Sequence, residues 1–186
     1  MFEGEYLEGK ENGKGKEYYS NGVLKFEGEY INGERKGKGK EYSEEGKLIF
    51  EGEYLKGKRN RKGNEYYDNG QLEFEGEYLN GEKNGNGKEY NIDGKLKYEG
   101  EYLKGKRNGK GKEYYQNGEL EFEGEYLNGK KWNGKGKEYN YNGQLEFEGE
   151  YFKGVKKGKG KEFNFFGHLQ YEGEYLNGEK NGKEKK

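Results

Sequence analysis

A five-residue string, an aromatic followed by Glu-Gly-Glu-Tyr, recurs eight times along this chain, and its spacing constrains the fold more than any other feature. The leading aromatics are Phe2, Phe26, Phe50, Phe74, Tyr98, Phe122, Phe147 and Tyr171. Every step is 24 residues except one of 25, where Trp132 sits in a loop one residue longer than its counterparts. A fixed period of this size marks stacked copies of one supersecondary unit. The expectation is a single array of eight repeats over residues 1–186, the last incomplete, with function in an extended surface rather than one catalytic pocket.

Hydrophobic residues make up only 27% of the chain, and Leu, Ile, Val and Phe alone about 15%, a level that often signals disorder. Two facts oppose that reading. The 36 basic and 37 acidic residues cancel to a net charge of −1, so self-repulsion does not hold the chain open. The 20 Tyr, 10 Phe and single Trp supply apolar area, because each aromatic buries about 150–250 Å². A folded chain with an aromatic core is expected. The absence of Cys excludes disulfides and thiolate metal sites. Met1 leads straight into the first repeat without an apolar stretch, which predicts a cytoplasmic protein lacking a signal peptide or membrane span.

Within one repeat, Leu24, Phe26, Gly28 and Tyr30 share one parity, and Lys25, Glu27 and Glu29 share the other. Alternation at period 2 predicts a half-buried strand with aromatics inward and carboxylates in water. The stretch Asn32 to Gly37 reads as a loop, and Lys38 to Tyr42 as a second short strand. Asn21-Gly22, Asn69-Gly70, Asp93-Gly94, Asn117-Gly118 and Asn142-Gly143 read as type I′ hairpin turns returning the chain to the next repeat. About two strands per repeat follow, joined into an all-β, elongated, twisted antiparallel meander. Glycine weakens a strand, so Gly28, Gly52 and their equivalents imply that an aromatic ring from an adjacent strand lies over the backbone there.

The string Tyr98-Glu99-Gly100-Glu101-Tyr102-Leu103-Lys104-Gly105, then Gly109-Lys110-Gly111 and Asn117-Gly118, resembles the MORN (membrane occupation and recognition nexus) repeat. The Tyr-Tyr-x-Asn-Gly ending at Tyr114 to Gly118 is closer to a variant MORN class common in bacteria. Arg61 departs from the pattern by replacing a loop glycine, and Phe166 by replacing a turn Asn. The resemblance implies an elongated β solenoid serving as a cytoskeletal or membrane-associated scaffold, often dimeric; antitoxin-like bacterial variants and lipid-kinase companions also occur in that family.

Catalytic chemistry finds few materials here. His168 is the only histidine, no nucleophile–base pair is visible, and no phosphate-binding glycine motif occurs. No catalytic, metal or cofactor residues are therefore assigned, and the chain is read as not an enzyme. Glu on first strands and Lys on second strands are expected to pair across the outer face. The loops carry more basic charge than such pairing needs. Lys56, Lys58, Arg59, Arg61 and Lys62 form one candidate anion- or phospholipid-binding set, and Lys153, Lys156, Lys157 and Lys159 another. Nucleic acid is not expected, because no excess positive charge exists at the scale of a domain. Phe163, Phe165 and Phe166 crowd one second strand and form a candidate self-association surface. The expected function is a non-catalytic scaffold that binds a protein partner and itself as a homodimer. The alternatives are a peripheral module on anionic phospholipid and an antitoxin-like protein that neutralises its partner by binding.

Overall fold

The computed structural model describes residues 1–140 and 143–182, and every regular element among them is a β-strand. The recurring string forms the odd strands: β1 Phe2–Leu7, β3 Leu24–Ile31, β5 Leu48–Leu55, β7 Leu72–Leu79, β9 Leu96–Leu103, β11 Leu120–Leu127, β13 Leu145–Phe152 and β15 Leu169–Leu176. Returning strands alternate with them: β2 Lys10–Tyr18, β4 Glu34–Tyr42, β6 Lys58–Tyr66, β8 Glu82–Tyr90, β10 Lys106–Tyr114, β12 Lys130–Tyr139, β14 Val155–Phe163 and β16 Glu179–Asn181. All lie in sequence order in one unclosed antiparallel sheet, the meander read from the period-2 alternation. Contacts divide the chain into two compact units built alike, Met1–Leu96 with Tyr102–Gly105, and Lys97–Glu101 with Lys106–Lys186.

The turns differ from expectation in kind and in length. The type I′ turn is the one that follows each odd strand, where Asn32 and Gly33 have φ of 52° and 84° and join Ile31 directly to Glu34. At Asn21-Gly22 only the glycine is left-handed, at 83°. There Gly22 N donates to Tyr19 O at 3.1 Å and Tyr19 N to Val23 O at 2.9 Å, a type I turn closed by a glycine. The predicted loop Asn32 to Gly37 is thus two turn residues followed by the first part of β4. The extra residues are absorbed by a bulge, where pairing shifts from Gly28↔Gly39 to Glu29↔Lys36 and Gly37 has φ of 71°. Asn142 of the corresponding later turn lies outside the described residues.

Successive repeats in the first unit are not equivalent. Tyr19 Oη donates to Tyr42 O and Tyr67 Oη to Tyr90 O, each at 2.8 Å, so the first and third repeats clasp their successors. At the same place in the second repeat, Ser43 Oγ accepts from the amides of Glu45 and Lys47, closing its own turn instead. The structural period there is 48 residues.

Phe26 and Tyr30 are buried although no second layer covers them among the described residues. The rings bury one another. Phe2–Tyr30, Phe26–Tyr30, Phe26–Tyr54 and Phe50–Tyr54 stand edge to face with centroids 5.0–5.7 Å apart, a geometry the ring quadrupole favours. From Phe2 to Phe147, each leading ring lies over the paired glycines of its own strand and the next. A Cβ on Gly28 would stand 2.7 Å from Phe26 Cζ and 2.9 Å from Gly39 Cα. The ring over Gly28 therefore comes from two residues earlier in the same strand, not from a neighbour. The second-strand tyrosines also depart from the expectation that aromatics are committed to the core. Tyr42 faces the opposite side, and its hydroxyl donates to Glu27 at 2.7 Å.

Candidate interaction surfaces

On the aromatic face a row of ion pairs seals the rings. From the second repeat on, the residue nine positions after the leading aromatic stands over that ring, with the Arg35 guanidinium carbon 4.0 Å from the Phe26 centroid and Arg59 4.1 Å from that of Phe50. Lys83 Nζ takes the same place 4.1 Å from Phe74. Between these cations lie the glutamates that precede the second-strand tyrosines. Arg35 reaches Glu17 at 2.9 Å and Glu41 at 3.1 Å, Arg59 pairs with Glu41 and Glu65, and Lys83 reaches Glu65 at 2.8 Å. Tyr30 donates to Glu17 at 2.6 Å from below. Burial pulls the Glu17 carboxyl upward, but hydrogen bonds from Arg35 and Tyr30 outweigh it and hold the group below its ordinary range. Burial, reinforced by Glu17, pushes the Tyr30 phenol far up. In the second unit Glu113 is likewise held down by Arg107 and Lys131 against its burial. Cation–π stacking and paired carboxylates together replace the missing second layer.

The opposite face is a shallow trough whose floor is glycine backbone. In the first unit it encloses about 750 Å³ over Gly15, Gly28, Gly39 and Gly52, between rows where Glu and Lys alternate from strand to strand. A trough of about 740 Å³ repeats this in the second unit. The outer Glu–Lys pairing read from the sequence is present but loose, at 3.9 Å for Lys40–Glu51 and 3.8 Å for Lys88–Glu75. Exposed pairs of this kind contribute about 0–1 kcal/mol.

The candidate basic sets are split rather than gathered. Lys56 occupies the first position of a type I′ turn with φ of 50°, while Lys58 and Lys62 lie exposed on β6. Arg59 points to the other face and is half-buried among Phe50, Glu41 and Glu65. Arg61 adopts the left-handed φ of 59° where other repeats have glycine, and its guanidinium lies 3.5 Å from Glu53. In the later set Lys156 is the half-buried ring cation, 3.8 Å over Phe147 and 2.8 Å from Glu138. Lys153 and Lys157 lean instead on Phe152, at 5.5 and 4.5 Å from its centroid, and Lys159 is exposed on the trough wall.

The three candidate phenylalanines also separate. Phe163 is half-buried at the end of β14, whereas Phe165 and Phe166 are 50% and 76% exposed with ring centroids 5.8 Å apart. Asn164 Oδ1 accepts from the amides of Phe166 and His168 and closes that turn without help from an asparagine at position 166. The Glu–cation row was missed from the sequence. Its signal is the Lys or Arg recurring nine residues after the ring in seven of the eight repeats, with Glu11 the exception.

The described residues contain no group of three or more His, Cys, Asp or Glu placed to hold a metal, and none of their helices could cross a membrane because none is present. The MORN repeat pattern matches residues 2–23, 26–47, 74–95, 98–119, 147–163 and 171–183. The MORN repeat variant matches 63–80 and 132–153. The search of curated proteins found no match to this chain. MORN repeats are a non-enzymatic repeat family associated with protein or membrane interactions. With more than half its residues matched and the glycine-seated rings in every matched repeat of the first unit, this chain belongs to the MORN repeat family.

Proposed function

We propose that this chain is a non-catalytic scaffold that binds protein partners and associates with itself, working in the cytoplasm alongside the cytoskeleton or a membrane. The observation that carries the reading is the exposed pair Phe165–Phe166, on a turn whose counterparts in the first and third repeats hold a polar Asn21 or Asn69 bonded to the next repeat. Fully burying a phenylalanine contributes about 1.5–3 kcal/mol, and a two-fold contact brings in the same two rings from both copies. Phe163, the third candidate, is half-buried at the end of β14 and lies apart from that pair in exposure. Sedimentation of the parent and of Phe166→Asn tests this. A parent dimer that becomes monomeric on substitution is expected; a parent that stays monomeric at high micromolar concentration refutes self-association. Neutralising a toxin by binding it is one form such a partner interaction can take.

A second reading, docking on anionic phospholipid, is favoured by the tip of the seventh repeat. There Phe152 and Val155 are 42% and 43% exposed, and Lys153 and Lys157 stand against the Phe152 ring. An apolar tip ringed by ammonium groups suits a headgroup boundary, each cation adding about 1 kcal/mol near an acidic leaflet. Lys56, Lys58, Arg61 and Lys62 offer a second basic tip, with Arg59 and Lys156 committed to the other face. Co-sedimentation with phosphoinositide vesicles at two salt concentrations decides the matter: binding that falls with salt supports it, and no binding at low salt removes it.

A further inference from the structure

One aliphatic side chain per repeat stays exposed on the trough side of the sheet. In the first unit these are Leu7, Ile31, Leu55, Leu79 and Leu103, between 42% and 60% exposed. Each lies three residues beyond the glycine of its strand, and the glycines pair level across the sheet, so the aliphatics form one row in register. Successive members are two strands apart, about 9.6 Å. Directly opposite them across the type I′ turns stand Lys10, Glu34, Lys58 and Glu82, all exposed, so the charge between aliphatics alternates in sign along the row.

A seven-residue step along an α-helix measures about 10.5 Å, and a three- to four-residue step about 4.5–6 Å. Those lengths match the aliphatic-to-aliphatic and aliphatic-to-charge spacings to about 1 Å per repeat. We propose that this row docks an amphipathic helix of a partner protein. Its apolar residues recur at seven-residue intervals over Leu7, Ile31, Leu55 and Leu79. Its intervening residues alternate acid and base against Lys10, Glu34, Lys58 and Glu82. The proposal rests on the reading of the chain as a protein-binding scaffold and names the partner class. Helices laid into apolar grooves are recognised through such periodic anchors, and the flanking charges set register. A second copy of the chain, whose row has the same pitch, is the competing occupant.

The test uses the full chain and a fluorescent 28-residue helical peptide with Leu at each a position and Glu, Lys, Glu, Lys at successive d positions. Anisotropy should show binding at least tenfold tighter than that of a peptide of equal composition with its leucines scattered. Leu55→Lys should cost at least another tenfold, with Leu55→Gln as the milder variant if folding suffers. Lys58→Glu should weaken binding several-fold, and exchanging the facing peptide Glu for Lys should restore it. Equal affinity for the two peptides, absence of binding, or failure of the charge exchange overturns the proposal. So does a concentration-dependent dimer abolished by Leu55→Lys, which assigns the row to a second copy. Self-association through Phe165 and Phe166 is insensitive to Leu55→Lys, so failure here is distinguishable from failure of the scaffold reading.

Discussion

Replacing Gly39 with alanine isolates the contact on which each repeat is built. Gly39 lies in ordinary strand geometry, without a left-handed φ, so the added methyl meets no backbone strain. It meets the Phe26 ring. The new Cβ would stand 2.6 Å from Phe26 Cε2 and 3.2 Å from Tyr54 Cε2, where carbon–carbon contacts settle at about 3.5–4.0 Å. The ring must therefore retreat by about 1 Å, yet Phe26 is fully buried with Arg35 on one face and the edges of Tyr30 and Tyr54 around it. Overpacking of this kind costs about 1–3 kcal/mol, and the upper half is expected because no neighbour yields without losing its own contact. Urea unfolding monitored by circular dichroism measures the loss, with the slope compared between variants because repeat arrays can unfold in parts. The decisive comparison is the double variant Gly39→Ala with Phe26→Leu. Leucine vacates the space above Gly39, so the alanine penalty should shrink, giving a coupling of about 1–2 kcal/mol. A Gly39→Ala variant within 0.5 kcal/mol of the parent, roughly the range of neutral surface changes, or strict additivity in the double variant, would refute the seating of rings on glycine.

Further outcomes follow from the same contacts. Arg61→Gly should raise stability by about 1 kcal/mol, because Arg61 is held left-handed at 59° and loses only an exposed ion pair to Glu53; a lower unfolding midpoint contradicts this. Glu41→Gln should cost about 2 kcal/mol in the same assay, since Arg35 and Arg59 both lose a charged partner in a half-buried setting. The folded pKa values of Glu17 and Glu113 are depressed, so their stabilisation is present above the unfolded value near 4.3 and lost as pH falls below it. Stability should therefore be level from about pH 7 to 5 and decline below about pH 4, and Glu17→Gln should reduce the decline. Tyr42 and Tyr114 are pushed up to about 12 by burial and by Glu27 and Glu99 respectively. Their stabilisation is full below pH 10 and lost as pH rises toward 12, so the phenolate absorbance of these two, read as the difference from Tyr42→Phe and Tyr114→Phe variants, should appear together with unfolding rather than before it.

The sequence carried the strand alternation of Leu24 to Tyr30 openly, because one face buries rings and the other meets water. It also carried the need for glycine at position 28, although the ring that needs it comes from the same strand. The second strands were harder to read. Glu34 to Gly37 is rich in charge and glycine, a composition that signals a loop, and only the pairing with β3 and a bulge at Gly37 makes it strand. Turn type was obscured because Asn-Gly occurs at both kinds of turn, at Asn21-Gly22 and Asn32-Gly33. The second kind is instead marked by glycine as its constant second residue, after Glu8, Lys56 or Lys104 as readily as after Asn32. The basic residues looked equivalent in sequence, yet parity sends Arg59 and Lys156 to the aromatic face and Lys58 and Lys62 to the trough. Which lysine is available to a partner is a property of the pleat, and the bulges in β2, β4, β6, β8, β12 and β14 hide that parity from simple counting.

The seating of the rings is observed most directly by nuclear Overhauser contacts and ring-current shifts at the glycine α-protons. If each leading aromatic lies over its paired glycines, the α-protons of Gly28 and Gly39 are shifted strongly upfield and show cross-peaks to the Phe26 ring, with Gly52 and Gly63 behaving alike under Phe50. Random-coil shifts at these four glycines, with no cross-peak to either phenylalanine, would contradict the account.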